Sequence, residues 1–144
     1  MKVIFVCTGN TCRSPMAEGL FKAFLNRQGI DGVEISSAGL AAFPGAPASE
    51  KSVAAMAELG IDISAHRAAP LSPEMLDADR IITMTAGQKA ALASLPVAVE
   101  TMPTEIPDPY GGSLEEYRRC RDAIAAALPE IARSLGLPVK GEEA

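Results

Sequence analysis

The chain has 144 residues, of which 48% are hydrophobic and 22% are charged, and its formal net charge is −5. This composition excludes a disordered chain and fits one globular domain with its own core. An acidic chain without Trp is a poor general nucleic-acid binder. No apolar stretch approaches the ~20 residues that are needed to span a bilayer.

Strand and helix patterns alternate along the chain. Residues 2–7 are an apolar, β-branched run typical of a central strand, and apolar residues from Ser14 to Asn26 fall at helical spacing. The other predicted strands are 33–37, 80–84 and 97–102, and the other predicted helices are 49–59, 72–78, 86–95 and 114–135. Pro129 is a candidate for a kink or break in the last helix, and the polar tail from Lys140 to Ala144 is expected to fray.

This alternation is the pattern of βαβ units, so we predict an α/β fold with a four-stranded parallel sheet. We expect a single domain over residues 1–144. Ligands of such sheets bind beyond the carboxyl ends of the strands, where the strand order reverses. Cys7 ends the first strand, which makes its surroundings a candidate site.

Residues Cys7 to Pro15 read Cys-Thr-Gly-Asn-Thr-Cys-Arg-Ser-Pro. The pattern places a nucleophile, Cys7, and a fixed positive charge, Arg13, at the two ends of one short loop. Thiolate is the attacking form of cysteine, and backbone N–H groups, a helix N-terminus and a guanidinium all stabilise it. The same groups bind phosphate oxygens. The loop is therefore suited to hold a phosphate and attack it.

The residues between these two ends fit that chemistry. Gly9 permits close approach of the backbone, and Asn10 tolerates a left-handed conformation. Arg13 offers a bidentate fork for two oxygens, and the Ser14 hydroxyl is placed to reach the Cys7 sulfur. Cys7 by itself is better explained as an inert, buried strand cysteine. The loop around it reverses that preference, and the rival G-x4-G-K-[ST] phosphate motif is absent.

The segment Cys7–Pro15 resembles the catalytic loop of low-molecular-weight protein tyrosine phosphatases. Ser36–Gly39, Ser-Ser-Ala-Gly, resembles the Ser-Ala-Gly strand end of that family, and Asp108–Gly111, Asp-Pro-Tyr-Gly, resembles its acid loop. The similarity covers nearly the whole chain, in the same order and at the usual separations. It implies a three-layer α/β/α fold in which Ser37 supports the loop by bracing its asparagine.

The resemblance also implies a mechanism. Cys7 attacks phosphorus to form a phosphocysteine, and Asp108 donates a proton to the leaving group and then takes one from water. Arg13 and the loop amides hold the phosphoryl oxygens, so no metal and no cofactor is expected. The expected phosphate-binding residues are Thr8, Gly9, Asn10, Thr11, Cys12, Arg13 and Ser14. Asp108 alone is only a turn residue, because Asp-Pro is an ordinary turn dipeptide.

Two features bear on the substrate. Family members that act on phosphotyrosine usually carry a bulky aliphatic residue where this chain has Thr11, and adjacent aromatics after the Asp-Pro. Here one aromatic, Tyr110, is followed by Gly111 and Gly112. Both features resemble the bacterial protein-arginine phosphatase branch, which favours phosphoarginine in proteins as substrate. The alternatives are that Thr11 is a neutral loop variant and that the chain is a tyrosine phosphatase.

Cys12 has two interpretations. The family resemblance implies a redox partner that forms a disulfide with Cys7 and protects it from irreversible oxidation. The alternative is a small buried side chain. Cys120, on the last helix, is expected only to pack, and His66, the single histidine, is expected to brace a loop rather than to take part in chemistry.

Three cysteines are an odd number for a disulfide framework, so we expect a reducing, cytoplasmic setting. The expected partners are phosphorylated proteins, with no nucleic acid and no membrane, and the chain is expected to be a monomer. An arsenate reductase would, by analogy within the fold, need further cysteines near residues 80–90, and none is present there. A non-catalytic phosphate-binding module would not need Cys7, Arg13 and Asp108 together.

Overall fold

The computed structural model describes residues 1–140 and has the alternating order that the sequence predicts. The strands are β1 (Lys2–Cys7), β2 (Glu34–Gly39), β3 (Arg80–Thr83) and β4 (Val99–Thr101), and the helices are α1 (Arg13–Gln28), α2 (Glu50–Ala57), α3 (Ala86–Ala91) and α4 (Leu114–Ser134). Within residues 1–140, no helix is both long enough and apolar enough to cross a membrane. Most of the tail predicted to fray, residues 141–144, lies outside the described residues. Lys140 itself is held, since its N–H donates to Gln28 Oε1 over 2.8 Å.

The four strands form one parallel sheet in the order β2-β1-β3-β4, which confirms the predicted sheet. From β1 the chain passes to β2 on one side and then to β3 on the other. The strand order therefore reverses between β1 and β3, and the carboxyl ends of these two strands form the crevice where such sheets bind ligands. Cys7 is the last residue of β1 and lies at this crevice.

The sheet is covered on both faces, which confirms the three-layer α/β/α architecture. Val3, Phe5 and Cys7 face the larger core, which is built with α1, α2 and α4. The alternate residues Ile4 and Val6 face the opposite core, to which Leu92, just after α3, contributes. Successive strand residues point to opposite faces, so a strand covered on both sides must be apolar throughout. This explains the unbroken apolar run of β1.

Most predicted element boundaries differ from the structure by one or two residues, and three predictions differ by more than that. The predicted helix 72–78 is a 3₁₀ helix, Pro73–Asp77. The helix predicted over 86–95 ends at Ala91, because the next N–H groups bond three residues back, as Leu92 does to Lys89 O, rather than four. α4 runs through Pro129 without a break, so the candidate break is wrong.

A cluster of charges clamps α2 to α4. Glu58, just after α2, accepts hydrogen bonds from Arg118 Nη2 and Arg121 Nη1, each over 2.7 Å. Two hydrogen bonds, the larger contribution coming from Arg118 and the smaller from Arg121, lower the pKa of Glu58 from its usual 4.5 to about 2. A carboxyl whose pKa is depressed in the folded state stabilises that state above its unfolded pKa, and this contribution is lost as the pH falls through the folded value.

Glu58→Gln is therefore expected to lower the urea midpoint at pH 7, and the difference from the wild type is expected to shrink below about pH 4.5 and to vanish as the pH falls below about 2. Added salt is also expected to reduce the difference, since the partners are partly exposed. Urea unfolding at several pH values measures this. Glu130→Gln, at an exposed glutamate of α4, is the control. An unchanged midpoint for Glu58→Gln at pH 7 would contradict the clamp.

Candidate active site

The loop predicted to hold phosphate joins the carboxyl end of β1 to the first residue of α1. We call residues 7–14 the cysteine loop. Asn10 has φ 57° and is the one non-glycine residue with positive φ among the described residues. This conformation turns the Asn10 N–H toward Cys7 Sγ, 3.3 Å away. Ser14 Oγ lies 3.0 Å from the same sulfur, so the geometry places a backbone donor and a hydroxyl beside the Cys7 sulfur.

The fully buried Asn10 side chain is the centre of the loop. Its Nδ2 donates to Ser14 Oγ over 2.8 Å and to Ser37 Oγ over 3.0 Å. Its Oδ1 accepts from the Ala69 N–H over 2.9 Å. A backbone N–H can only donate, so the Ala69 bond sets the orientation of the amide. Ser37, predicted to brace the asparagine, is thus in contact with it across 27 residues of sequence.

β2 approaches the loop very closely at Gly39. A Cβ built on Gly39 would lie 2.7 Å from Thr8 O and 3.0 Å from Asn10 Cβ. Real Cβ atoms do not approach a carbonyl oxygen this closely, so any larger residue would push the loop away from the strand. The Ser-Ala-Gly strand end therefore needs its glycine for packing against the cysteine loop.

Two further residues support the loop from α1 and from the segment after α2. Ser37 Oγ donates to Glu18 Oε1 over 2.8 Å, and Glu18 also accepts from Lys22 over 2.7 Å. His66 Nε2 lies 2.7 Å from Asn10 O, so the histidine contacts the loop. Glu18 was missed from the sequence. The available signal was its position four residues after Ser14, on the same helix face.

Arg13 connects the cysteine loop to the predicted acid loop. Its side chain is 6% exposed, its Nη1 donates to Ile106 O over 2.9 Å, and its Nη2 lies 3.8 Å from Asp108 Oδ2. The Asp108 side chain is 52% exposed, and its Oδ1 accepts from the Tyr110 N–H over 3.1 Å. Residues almost 100 positions apart in sequence therefore face one another.

These residues line a cavity of about 240 Å³. Its lining residues are Cys7, Thr8, Gly9, Asn10, Thr11, Cys12, Arg13, Asp108 and Tyr110. A larger hollow of about 620 Å³ lies between α1 and residues 60–66, but no cysteine lines it. The chemistry of the lining, rather than volume, therefore identifies the candidate site. Ser14 is buried behind the cavity, on the sulfur side.

Cys12 points into a small polar cluster at the base of the loop. Its Sγ donates to Ser49 Oγ over 3.4 Å and lies 3.5 Å from the Tyr117 hydroxyl. Burial, followed by the Cys12 contact, raises the pKa of Tyr117 to about 12, so that hydroxyl stays protonated. All three cysteines are free thiols, and the Cys7–Cys12 disulfide stays a prediction.

Cys120 packs in the larger core, and burial raises the pKa of its thiol to about 12. A thiol that stays protonated is a poor nucleophile, which agrees with the expected packing role. Within the part of the chain described, no three His, Cys, Asp or Glu side chains are grouped so that they could hold a metal ion.

Comparison with known proteins places this geometry in a family. The family model described as low molecular weight phosphotyrosine protein phosphatase matches residues 2–140. A protein-arginine-phosphatase of Bacillus subtilis is 38% identical over 147 residues, covering 94% of this chain and 97% of that protein. Arsenate reductase 1 of Staphylococcus epidermidis is 36% identical over 131 residues, covering 90% and 94%.

Comparison with solved structures points to the same family as comparison of sequences. A solved YwlE arginine phosphatase, described as a C7S mutant with a phosphorylated active-site serine, has a TM-score of 0.88 and is 36% identical, with 99% of each chain covered. The resemblance stated from the sequence is thus confirmed. The chain belongs to the low molecular weight phosphotyrosine protein phosphatase family.

Proposed function

We propose that the protein is a cysteine-dependent protein phosphatase that removes phosphate from phosphoarginine in proteins through a phosphocysteine intermediate. The observation that carries the proposal is the shared cavity, in which the Cys7 sulfur, the Arg13 guanidinium and the Asp108 carboxylate face one space. A nucleophile, a cation for the phosphoryl oxygens and a proton donor are the parts that phosphoryl transfer needs.

In the first step the Cys7 thiolate attacks phosphorus, and an S–P bond forms as the P–N bond to the guanidino group breaks. The Asp108 carboxyl gives its proton to the departing nitrogen. Arg13 and the loop N–H groups hold the three phosphoryl oxygens, where charge accumulates in the transition state. The carboxylate that remains then faces a cationic guanidinium product, and the attraction between opposite charges favours such a leaving group.

In the second step a water oxygen attacks phosphorus and the S–P bond breaks. Asp108 takes the proton from that water, and inorganic phosphate leaves. The sulfur departs as a thiolate, which Ser14 Oγ at 3.0 Å and the Asn10 N–H at 3.3 Å are placed to stabilise. The same two donors therefore serve the attack and the departure.

The preference for phosphoarginine rests on Thr11 and on the relatives. Thr11 lines the cavity, and its Oγ1 lies 3.7 Å from Cys12 Sγ. A threonine there is smaller than a bulky aliphatic residue and can hydrogen-bond a guanidino group. The Bacillus subtilis relative and the solved YwlE structure both carry the name arginine phosphatase.

Two other activities compete with this proposal. Tyrosine phosphatase activity is favoured by the family description itself and by Tyr110, a residue that is 76% exposed and lines the cavity. Arsenate reductase activity is disfavoured despite the Staphylococcus epidermidis relative, because the chain has only Cys7, Cys12 and Cys120 and no cysteine near residues 80–90.

The proposal is tested by measuring kcat/KM on a phosphoarginine peptide and on a phosphotyrosine peptide of the same sequence, in EDTA. We expect turnover of both to survive the chelator and the phosphoarginine peptide to be preferred. Cys7→Ala is expected to abolish both reactions. Turnover of phosphotyrosine alone would contradict the substrate, and metal-dependent turnover would contradict the mechanism.

Thr11→Ile is expected to raise the ratio of phosphotyrosine to phosphoarginine kcat/KM by about tenfold to 100-fold, since changes of one or two groups in a pocket have effects of this size. Isoleucine adds bulk at the rim and removes the hydroxyl. Thr11→Val removes the hydroxyl with little change in volume, and it separates the two causes. If Thr11→Ile does not change this ratio, residues other than Thr11 must determine the substrate preference.

We further propose that residues 1–144 form one domain that acts as a cytoplasmic monomer on phosphorylated proteins. The odd number of cysteines, three, supports a reducing compartment. Light scattering of the purified chain tests the monomer, and a concentration-dependent mass would contradict it.

A further inference from the structure

A bridge of hydrogen bonds spans the crevice between β1 and β3 and joins the cysteine loop to the acid loop. It starts at Thr8, next to Cys7, and passes through Gln88 of α3 to Met84, the residue after β3. From Met84 it passes to Ile106, which precedes the acid residue by two positions, and it returns to the cysteine loop at Arg13. We call these five residues the crevice bridge.

Gln88 is the side chain on which the bridge depends. It is only 7% exposed, and its Oε1 accepts from the N–H groups of Met84 over 2.9 Å and Thr85 over 3.2 Å. Because those two groups can only donate, Oε1 must face them, and Nε2 must face Thr8. Nε2 then donates to Thr8 Oγ1 over 3.1 Å. The amide orientation is thus determined by the backbone.

The other half of the bridge places the acid loop. The Ile106 N–H donates to Met84 O over 3.0 Å, and Ile106 O accepts from Arg13 Nη1 over 2.9 Å. The Met84 N–H donates to Gln88 Oε1, and the Met84 carbonyl accepts from the Ile106 N–H. One residue, Met84, therefore makes both contacts. Ile106 is buried, whereas Asp108 is half exposed. The position of the exposed carboxylate is therefore set by the buried residue that precedes it.

We infer that Gln88 is a positioning residue that holds the cysteine loop and the acid loop at the separation required for proton transfer. This inference rests on the proposed phosphatase function. Gln88 does not line the cavity, and it acts through Thr8 on one side and Met84 on the other. Transfer of a proton from Asp108 depends on hydrogen-bond distance to the leaving atom, and a 1 Å misplacement can lower a rate by roughly 100-fold.

The experiment compares two small substrates that differ in their need for an acid. The p-nitrophenolate group leaves phosphate readily without a proton, whereas the phenolate of phenyl phosphate needs one. The variants are Gln88→Leu, which removes both polar ends of the side chain, and Lys89→Ala, at the exposed neighbour on α3, as the control. We measure kcat and KM for both substrates, with circular dichroism and thermal unfolding as checks of folding.

Gln88→Leu is expected to lower kcat on phenyl phosphate by about tenfold to 100-fold, with a clearly smaller loss on p-nitrophenyl phosphate. KM is expected to change little, because the loop amides and Arg13 still bind phosphate. Lys89→Ala is expected to match the wild type on both substrates. An equal loss on both substrates would show a structural role only and would overturn the inference.

Gln88→Leu also leaves the buried Met84 N–H unpaired, so this variant is expected to be less stable. Thr8→Val is the second variant, because it cuts the Gln88–Thr8 bond and leaves the Met84 and Thr85 contacts intact. It is expected to show the same selective loss on phenyl phosphate, and the double variant is expected to be no worse than Gln88→Leu alone. Wild-type behaviour of Thr8→Val on both substrates would overturn the bridge.

These outcomes are separate from a failure of the proposed function. If Cys7→Ala turns over substrate as fast as the wild type, the proposed cysteine mechanism is wrong, whatever the result for Gln88→Leu. If turnover needs Cys7 but the two substrates respond equally in Gln88→Leu and in Thr8→Val, only the positioning role fails.

Discussion

Cys7→Ser is expected to lower kcat on every phosphate substrate by about 10⁴-fold or more while phosphate still binds. A serine hydroxyl is protonated at neutral pH, and the loop has no base placed on it: the atoms near the Cys7 sulfur are the Ser14 hydroxyl and the Asn10 N–H. The oxygen of serine is also a poorer leaving group than a thiolate, so both chemical steps are slowed.

The measurement pairs steady-state kinetics with titration of inorganic phosphate by calorimetry or NMR. Phosphate affinity is expected to change by less than about tenfold, because Arg13 and the loop amides are untouched. Loss of phosphate binding together with activity would mean that the serine had disturbed the loop. Retention of rapid turnover would remove Cys7 from the mechanism.

Asp108→Asn is expected to lower kcat on phenyl phosphate by about 10²- to 10⁴-fold, the range of a lost general acid, and to lower kcat on p-nitrophenyl phosphate much less. Asparagine keeps the size of the side chain and its acceptor for the Tyr110 N–H, seen at 3.1 Å, but it has no proton to give. The carboxylate is half exposed and 3.8 Å from Arg13 Nη2, so this variant is not expected to unfold the chain.

The ratio of the two rates, rather than either rate alone, is the readout for Asp108. In Gln88→Leu the same ratio is expected to change in the same direction and to a smaller extent, since the acid is displaced rather than removed. Glu105→Gln, at an exposed carboxylate of the same loop, is the control, and it is expected to leave the ratio unchanged. Equal losses on both substrates in Asp108→Asn would assign the aspartate to binding rather than to proton transfer.

Local elements of the fold were predicted well because their causes are local. The unbroken apolar run of β1 and the left-handed Asn10, with φ 57°, follow from the residue types themselves. Gly29, with φ 69°, ends α1, and glycine is the residue that most readily adopts this left-handed conformation at a helix end. Element boundaries were predicted less accurately where the sequence has no strong stop signal. The end of α3 is an example, because there the Leu92 N–H donates to Lys89 O, three residues back.

The sequence alone indicated the chemistry proposed for the cysteine loop, since Cys7, Asn10 and Arg13 lie within seven residues and their spacing follows from one strand, one turn and one helix. It also contained the signal for Gln88 as half of a capping box with Thr85, which the structure has.

Only the tertiary structure decided what faces the loop. The strand order places β3 beside β1, which brings Gln88 to Thr8 across 80 residues and Ile106 to Arg13 across 93. Such contacts depend on which strands pair and on where long connections return, and neither is encoded in the spacing of nearby residues. The candidate nucleophile could therefore be identified from its own segment, whereas the position of its proposed acid partner follows from the packing of the whole sheet.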